Sequence, residues 1–172
     1  YDDEGIPATK IPLIRNGIFV GYLSNREDAA RLGSRPGGVS RADGWSAVPL
    51  ARMSNINLEP GDWDLEALIA DTDDGIYMQL CRSLSIDNKR VNFQFGSEIA
   101  WEIKGGKLGR VLKNPTFTGA SPQFWASCDA ICSQKYWAMW GTDCGKGQPS
   151  QNVTVGHGTA PARFRNVQTG VF

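Results

Sequence analysis

The chain has 172 residues, 41% of them hydrophobic and 21% charged, with Lys+Arg and Asp+Glu balanced at 18 each. That composition fits a soluble globular protein with a real core and gives no global field to draw in nucleic acid or an anionic membrane surface. No apolar run is long enough to span a bilayer, no signal peptide opens the chain, and four cysteines in this length do not make a disulfide scaffold, which points to a reducing compartment. The first residue is Tyr1, followed by Asp2-Asp3-Glu4-Gly5, so an excised piece or processed product is expected. Asn152-Val153-Thr154 matches a glycosylation sequon, without a secretory context to use it.

In chain order, Leu13 to Val20 places Asn16-Gly17 between two apolar runs, the signature of a type I′ hairpin. Ser24-Asn25-Arg26-Glu27 reads as a capping box with Ser24 as the cap, and Gly33 ends that helix. Gly33 to Gly44 is rich in glycine and offers little to bury, so a mobile surface loop is expected. Asp62 is expected to cap a second helix, with Leu65, Leu68 and Ile69 on one face. Asp71-Thr72-Asp73-Asp74-Gly75 lacks the order of a calcium loop, because Gly stands where a ligand is required; it reads as a solvated helix end. Arg82 to Asp87 and the alternating Val91, Phe93 and Phe95 predict an antiparallel pair with a turn near Asn88-Lys89. Trp101 to Leu108 predicts another hairpin around Gly105-Gly106. Ser121-Pro122 opens a third helix, with Phe124, Cys128, Ile131 and Cys132 on one face. Phe164 to Val171 closes the chain as a strand. The expected fold is mainly β of the α+β class: one domain over residues 1–172, an antiparallel, hairpin-rich sheet or barrel-like body with two or three short helices.

The most informative stretch is Asp143-Cys144-Gly145-Lys146-Gly147-Gln148-Pro149 with Val155-Gly156-His157-Gly158, which sets a cysteine in glycine-rich backbone near the sole histidine. From the residues, Cys144 has three readings: core packing, a nucleophile with His157 as base, or a metal ligand. A closed structural zinc site from Cys128, Cys132, Cys144 and His157 is a weaker alternative, because Cys128 and Cys132 read as small hydrophobes on the third helix. Gly145-Lys146 is not a phosphate loop: the nearest earlier glycine is Gly141, one position too close, and Gly147 stands where a hydroxyl is needed. Trp125, Trp137 and Trp140 read as core in a neutral chain without a basic stripe.

Several of these segments together resemble the TldD/PmbA family of zinc metallopeptidases, also labelled modulators of DNA gyrase. They are Asp2-Asp3-Glu4-Gly5-Ile6-Pro7, Asn16-Gly17 through Gly21-Tyr22, Pro49-Leu50-Ala51-Arg52-Met53-Ser54-Asn55, Gly75-Ile76-Tyr77, Cys144-Gly145-Lys146 and Val155-Gly156-x-Gly158. The resemblance runs over nearly the whole chain, with Leu80 to Ser85 locally divergent. It implies a parent with an N-terminal α/β domain and a helix bearing His-Glu-x-x-x-His, whose histidines bind zinc and whose glutamate is the general base. The third zinc ligand falls on Cys144, and because the metal-free paralogous subunit lacks this cysteine, its presence implies the peptidase-type subunit. No His-Glu-x-x-x-His occurs in these 172 residues, and His157 matches no family ligand.

The resemblance therefore implies the C-terminal domain of a cytoplasmic TldD-type zinc metallopeptidase acting on unstructured polypeptides. This domain would supply Cys144 and part of the peptide channel, with no catalytic base and little or no zinc binding of its own. Implied partners are the peptide substrate and either a paralogous subunit or a second copy, with no nucleic acid and no membrane. The rivals are a non-catalytic regulatory module of the gyrase-modulator kind and an autonomous Cys144/His157 hydrolase.

Overall fold

A computed structural model describes residues 1–171. The elements in chain order are β1 (Ile14–Arg15), β2 (Ile18–Phe19), α1 (Arg26–Leu32), β3 (Ser40–Arg41), β4 (Leu50–Ala51), α2 (Leu65–Ala70), β5 (Asp74–Ile86), β6 (Asn92–Lys104), β7 (Lys107–Leu112), β8 (Pro115–Ala120), α3 (Ser121–Ala126), β9 (Cys128–Ile131), β10 (Ala138–Lys146), β11 (Gln151–Thr159), β12 (Ala162–Phe164) and β13 (Gln168–Val171). The architecture is mainly β with three short helices, as expected. Every ladder is antiparallel, and the sheets are open among the described residues, so none closes into a barrel. No helix is long and apolar enough to cross a membrane. The described chain forms two compact units: one from residues 1–58 with 138–159, the other from residues 59–137 with the residues from 160 on.

The first unit is made of short two-stranded pieces. Asn16 and Gly17 both take positive φ, at 51° and 75°, as a type I′ turn requires, and β1 pairs with β2 across it. The acidic opening is structural. Asp2 accepts from the amides of Glu4, Ile6 and Ser40, Asp3 from that of Ala42, and Glu4 from that of Arg26.

Two expectations are corrected in this unit. The cap of α1 is Asn25, whose side chain accepts from Asp28 N at 2.8 Å. Ser24 is instead 2% exposed. Asparagine caps as well as serine, so burial of Ser24 decides the register. Gly33 ends the helix in the left-handed conformation, as predicted. The segment read as a mobile loop carries the buried Val39 and Ser40 and forms β3, paired with β4. A side chain on Gly38 would lie 2.4 Å from the Pro7 carbonyl, so this glycine permits a close backbone approach, not mobility.

The second unit holds a five-stranded sheet in the order β13-β8-β6-β5, with β7 also on β6. β5 and β6 make one long hairpin, with Asp74 opposite Lys104 and Ile86 opposite Phe93. The other edge of β6 is shared end to end by β8 and β7. The segment flagged as divergent contains a bulge: Leu80 has φ 61°, and the register shifts between Cys81 and Ser83. Phe93 and Phe117 pack with Phe124 of α3, Phe95 packs with Phe93 and Phe117, and Phe124 stacks on Phe164 at 3.9 Å between ring centres. Such pairs each add about 0.5–1.5 kcal/mol beyond their buried area. A second cluster joins Leu68, Ala130, Cys132 and Ala160 with Trp63, Tyr136 and Trp137.

Four further expectations change here. Asp64, not Asp62, caps α2, accepting from Glu66 N at 3.0 Å. Helix α3 stops at Ala126, and Cys128–Ile131 is strand β9 paired with β12. Ala130 and Cys132 are therefore buried by two-residue alternation and not by a helical face. The closing strand is split into β12 and β13 around Asn166, at φ 54°. Of the three tryptophans assigned to the core, Trp137 packs there, whereas Trp125 and Trp140 are more than half exposed.

Candidate functional site

Cys144 lies on β10, a strand whose other residues are all exposed. It is half-buried and stands opposite Val153, which is buried with Val155 on β11. The hairpin backbone is pinned from the β4 side. Arg52, the residue after β4, is 2% exposed. Its Nη2 donates to the Cys144 carbonyl and its Nη1 donates to the Gln151 carbonyl at 3.2 Å. In return, Lys146 Nζ donates to the Ala51 carbonyl at 2.6 Å, and Gln151 Nε2 to the Val48 carbonyl at 2.9 Å. Residues 48–52 and the end of the β10–β11 hairpin thus hold each other at four points.

Arg52 makes no ion pair among the described residues, and its buried Nε finds no acceptor there. Burying a guanidinium without a carboxylate costs several kcal/mol of hydration, roughly, and an unmet donor adds about 1–3 kcal/mol. Two carbonyl acceptors offset only part of this, so packing alone does not account for an arginine at this position.

His157 serves the fold. It stands opposite Trp140, four registers from the Cys144–Val153 pair, which separates it from Cys144 by roughly 13 Å along the strand. Its Nδ1 is 3.2 Å from Ile56 N and 3.1 Å from Ile56 O, so either tautomer has a partner. Asn55 and Asn57 accept from the amides of Gly156 and Gly158, and Leu58 N donates to the Gly158 carbonyl. Residues 55–58 therefore cover one edge of β11. A nucleophile and its base must come within hydrogen-bond reach, and Cys144 and His157 do not.

The other cysteines add no ligand set. Burial pushes the thiols of Cys128 and Cys132 above their ordinary range, which keeps them protonated. Cys81 is exposed. Among the described residues, no three His, Cys, Asp or Glu side chains converge as a metal site. Cys144 is therefore not part of a complete metal-ligand set among the described residues. The sequence marks Arg52 and Lys146 only as motif positions, without a role, and passes over Gln151. The available signal was Arg52 itself, a lone charge in the run Val48-Pro49-Leu50-Ala51-Arg52-Met53.

The structure thus presents a mainly β domain with a half-buried thiol on an anchored hairpin. Residues 1–170 match the model of the PmbA/TldA metallopeptidase C-terminal domain, and the chain belongs to that family. It is 37% identical over 158 residues to a metalloprotease of Methanocaldococcus jannaschii, covering 92% of this chain and 34% of that protein. It is 30% identical to a metalloprotease TldD homolog of Buchnera aphidicola over 98% of this chain and 35% of that protein. The chain therefore spans about a third of the length of these relatives. TldE from Thermococcus kodakarensis superposes with a TM-score of 0.75 at 22% identity, covering 98% of this chain and 35% of that one. A putative modulator of a DNA gyrase from Thermotoga maritima does so at 0.70 and 16% identity, over 99% of this chain and 35% of that one. These structural likenesses establish the fold.

Proposed function

We propose that this chain is the C-terminal part of a TldD-type zinc metallopeptidase that hydrolyses peptide bonds in unstructured polypeptides, and that Cys144 is its third zinc ligand. The observation that carries the reading is the half-buried Cys144 thiol on a hairpin held at four points, in a family named for metallopeptidases. A catalytic zinc takes three protein ligands and keeps a fourth position for water. The other two ligands and the catalytic base come from outside these residues. When bound, the metal supplies an activated water near neutral pH. Cys144 holds one coordination position, and Arg52 and Lys146 fix the backbone that carries it. β10 pairs with β11 alone among the described strands, so its free edge can take an extended peptide by main-chain hydrogen bonds, largely independent of side-chain identity. The partner is a paralogous subunit or a second copy, and the compartment is the cytoplasm.

In the full-length protein, Cys144→Ala abolishes cleavage of a casein-type unfolded substrate and lowers zinc content, while circular dichroism stays at the wild-type signal. A folded Cys144→Ala protein that still cleaves would remove Cys144 from the ligand set. A wild-type full-length protein that holds no zinc would favour a non-catalytic module. The isolated chain binds zinc weakly or not at all, because affinity comes from several ligands held together. Elemental analysis after dialysis checks this, and stoichiometric zinc would contradict it.

A further inference from the structure

We propose that Arg52 is a positioning residue for the Cys144 ligand, an inference that rests on the metal-ligand reading of Cys144. Its guanidinium is buried and bridges the carbonyls of Cys144 and Gln151. These lie on opposite strands of the same hairpin, since Lys146 pairs with Gln151 and Cys144 with Val153. The planar fork of arginine holds both acceptors in one plane, which the single ammonium of lysine cannot do. Fixing the Cys144 carbonyl fixes the peptide plane that follows its Cα, and so restrains the direction in which the thiol leaves the strand. Lys146 secures the same strand two residues on, through the Ala51 carbonyl. Neighbouring groups that orient a metal ligand typically contribute 10–100-fold to metal affinity.

Two features set Arg52 apart from an ordinary packing residue. It makes no ion pair among the described residues, and its Nε is buried without an acceptor there. A side chain selected for stability alone would be apolar at this position or paired with a carboxylate. What the arginine does provide is a rigid two-point grip on the backbone of the ligand hairpin.

The test uses the full-length protein with zinc or with Co(II) as a spectroscopic replacement. Wild type is expected to show a thiolate-to-cobalt charge-transfer band that Cys144→Ala removes. Arg52→Met, with Cys144 intact, is expected to weaken zinc binding 10–100-fold in a chelator competition and to shift or diminish that band. Arg52→Lys, which keeps the charge and one contact, is expected to fall between. Wild-type affinity and an unchanged band in folded Arg52→Met, or in folded Arg52→Lys if the Met variant does not fold, overturns the proposal. A measurement needing no variant is the side-chain N–H spectrum of Arg52 in wild type. Its signals should be slow to exchange and should move when zinc is added, and unmoved signals count against the role. If Cys144→Ala keeps the band, the ligand assignment fails; if it loses the band while Arg52→Met keeps it, only the role of Arg52 fails.

Discussion

Each unit shelters an arginine from solvent, and the two are satisfied in opposite ways. In the second unit Arg163, with a side chain 12% exposed, grips Asp129 with both ends of its fork at 2.9 and 3.1 Å. It also reaches Asp71 at 2.9 Å and Thr72 Oγ1 at 3.0 Å, and lies over the Trp63 ring at 5.6 Å. In the first unit Arg52 meets only main-chain carbonyls and leaves Nε unmet. Arg163 joins α2, β9 and β12 through complementary charge, as an arginine does when it secures a fold. Arg52 contributes little net stability and instead fixes the geometry of a few backbone atoms around Cys144. Burial alone therefore does not rank the two; the partners do.

The largest expected effect breaks the Arg163 network. Arg163→Met leaves Asp71 without its cation and Asp129 with Arg165 alone, and removing one partner of a buried pair costs about 3–5 kcal/mol. Both carboxylates keep solvent contact, at 36% and 53% exposure, so about 2 kcal/mol is expected. Urea unfolding followed by tryptophan fluorescence measures it. Arg52→Met should change stability by less than about 1 kcal/mol, although Arg52 is more buried, because the lost carbonyl contacts are offset by relief of a buried, unpaired guanidinium and no carboxylate is stranded. The reverse order would break the comparison. An intermediate effect is expected at the cap of α1, where Asn25→Ala loses the bond to Asp28 N and about 1 kcal/mol, whereas Asn25→Ser should restore it. If Ser24→Ala behaved like Asn25→Ala under thermal unfolding, the capping box first read from the sequence would regain its place.

Legibility followed the range of the interactions. Turns at Asn16-Gly17 and Gly105-Gly106 were readable because positive φ is a demand of two adjacent residues. Cys144 was readable as a candidate, since few residue types can ligate zinc, and the family resemblance narrowed its three readings to one. What failed was decided at a distance. Asn25 displaced Ser24 as cap because Ser24 is buried in the first unit. Cys128 to Ile131 became a strand because Ala162 to Phe164 pairs with it from more than 30 residues away. The role of His157 depends on Ile56, and that of Arg52 on Cys144 and Gln151. No window of sequence around either residue contains its partner.

The smallest expected effect concerns the cap of α2 and separates it from that of α1 by charge. Asn25 is neutral, and its capping bond does not titrate. Asp64 caps through Glu66 N, and its other oxygen accepts from the Tyr136 hydroxyl and from Lys135 Nζ at 3.2 Å. The bond from Tyr136, and then that from Lys135, holds the Asp64 carboxyl down to about 2. A folded-state pKa below the ordinary 3.8 means that the native state favours the charged form. The contribution is therefore present above about pH 4, the unfolded-chain value, and is lost as pH falls through about 2. Asp64→Asn keeps an acceptor for Glu66 N but carries no charge to lose. Wild type should be the more stable protein at about pH 5, and the gap should narrow below about pH 4 and close near pH 2. Thermal unfolding of both proteins across that range reads it directly. A gap that stays constant with pH would mean that the Tyr136 and Lys135 contacts do not favour the ionised carboxylate, and that both units cap their helices in the same pH-independent way.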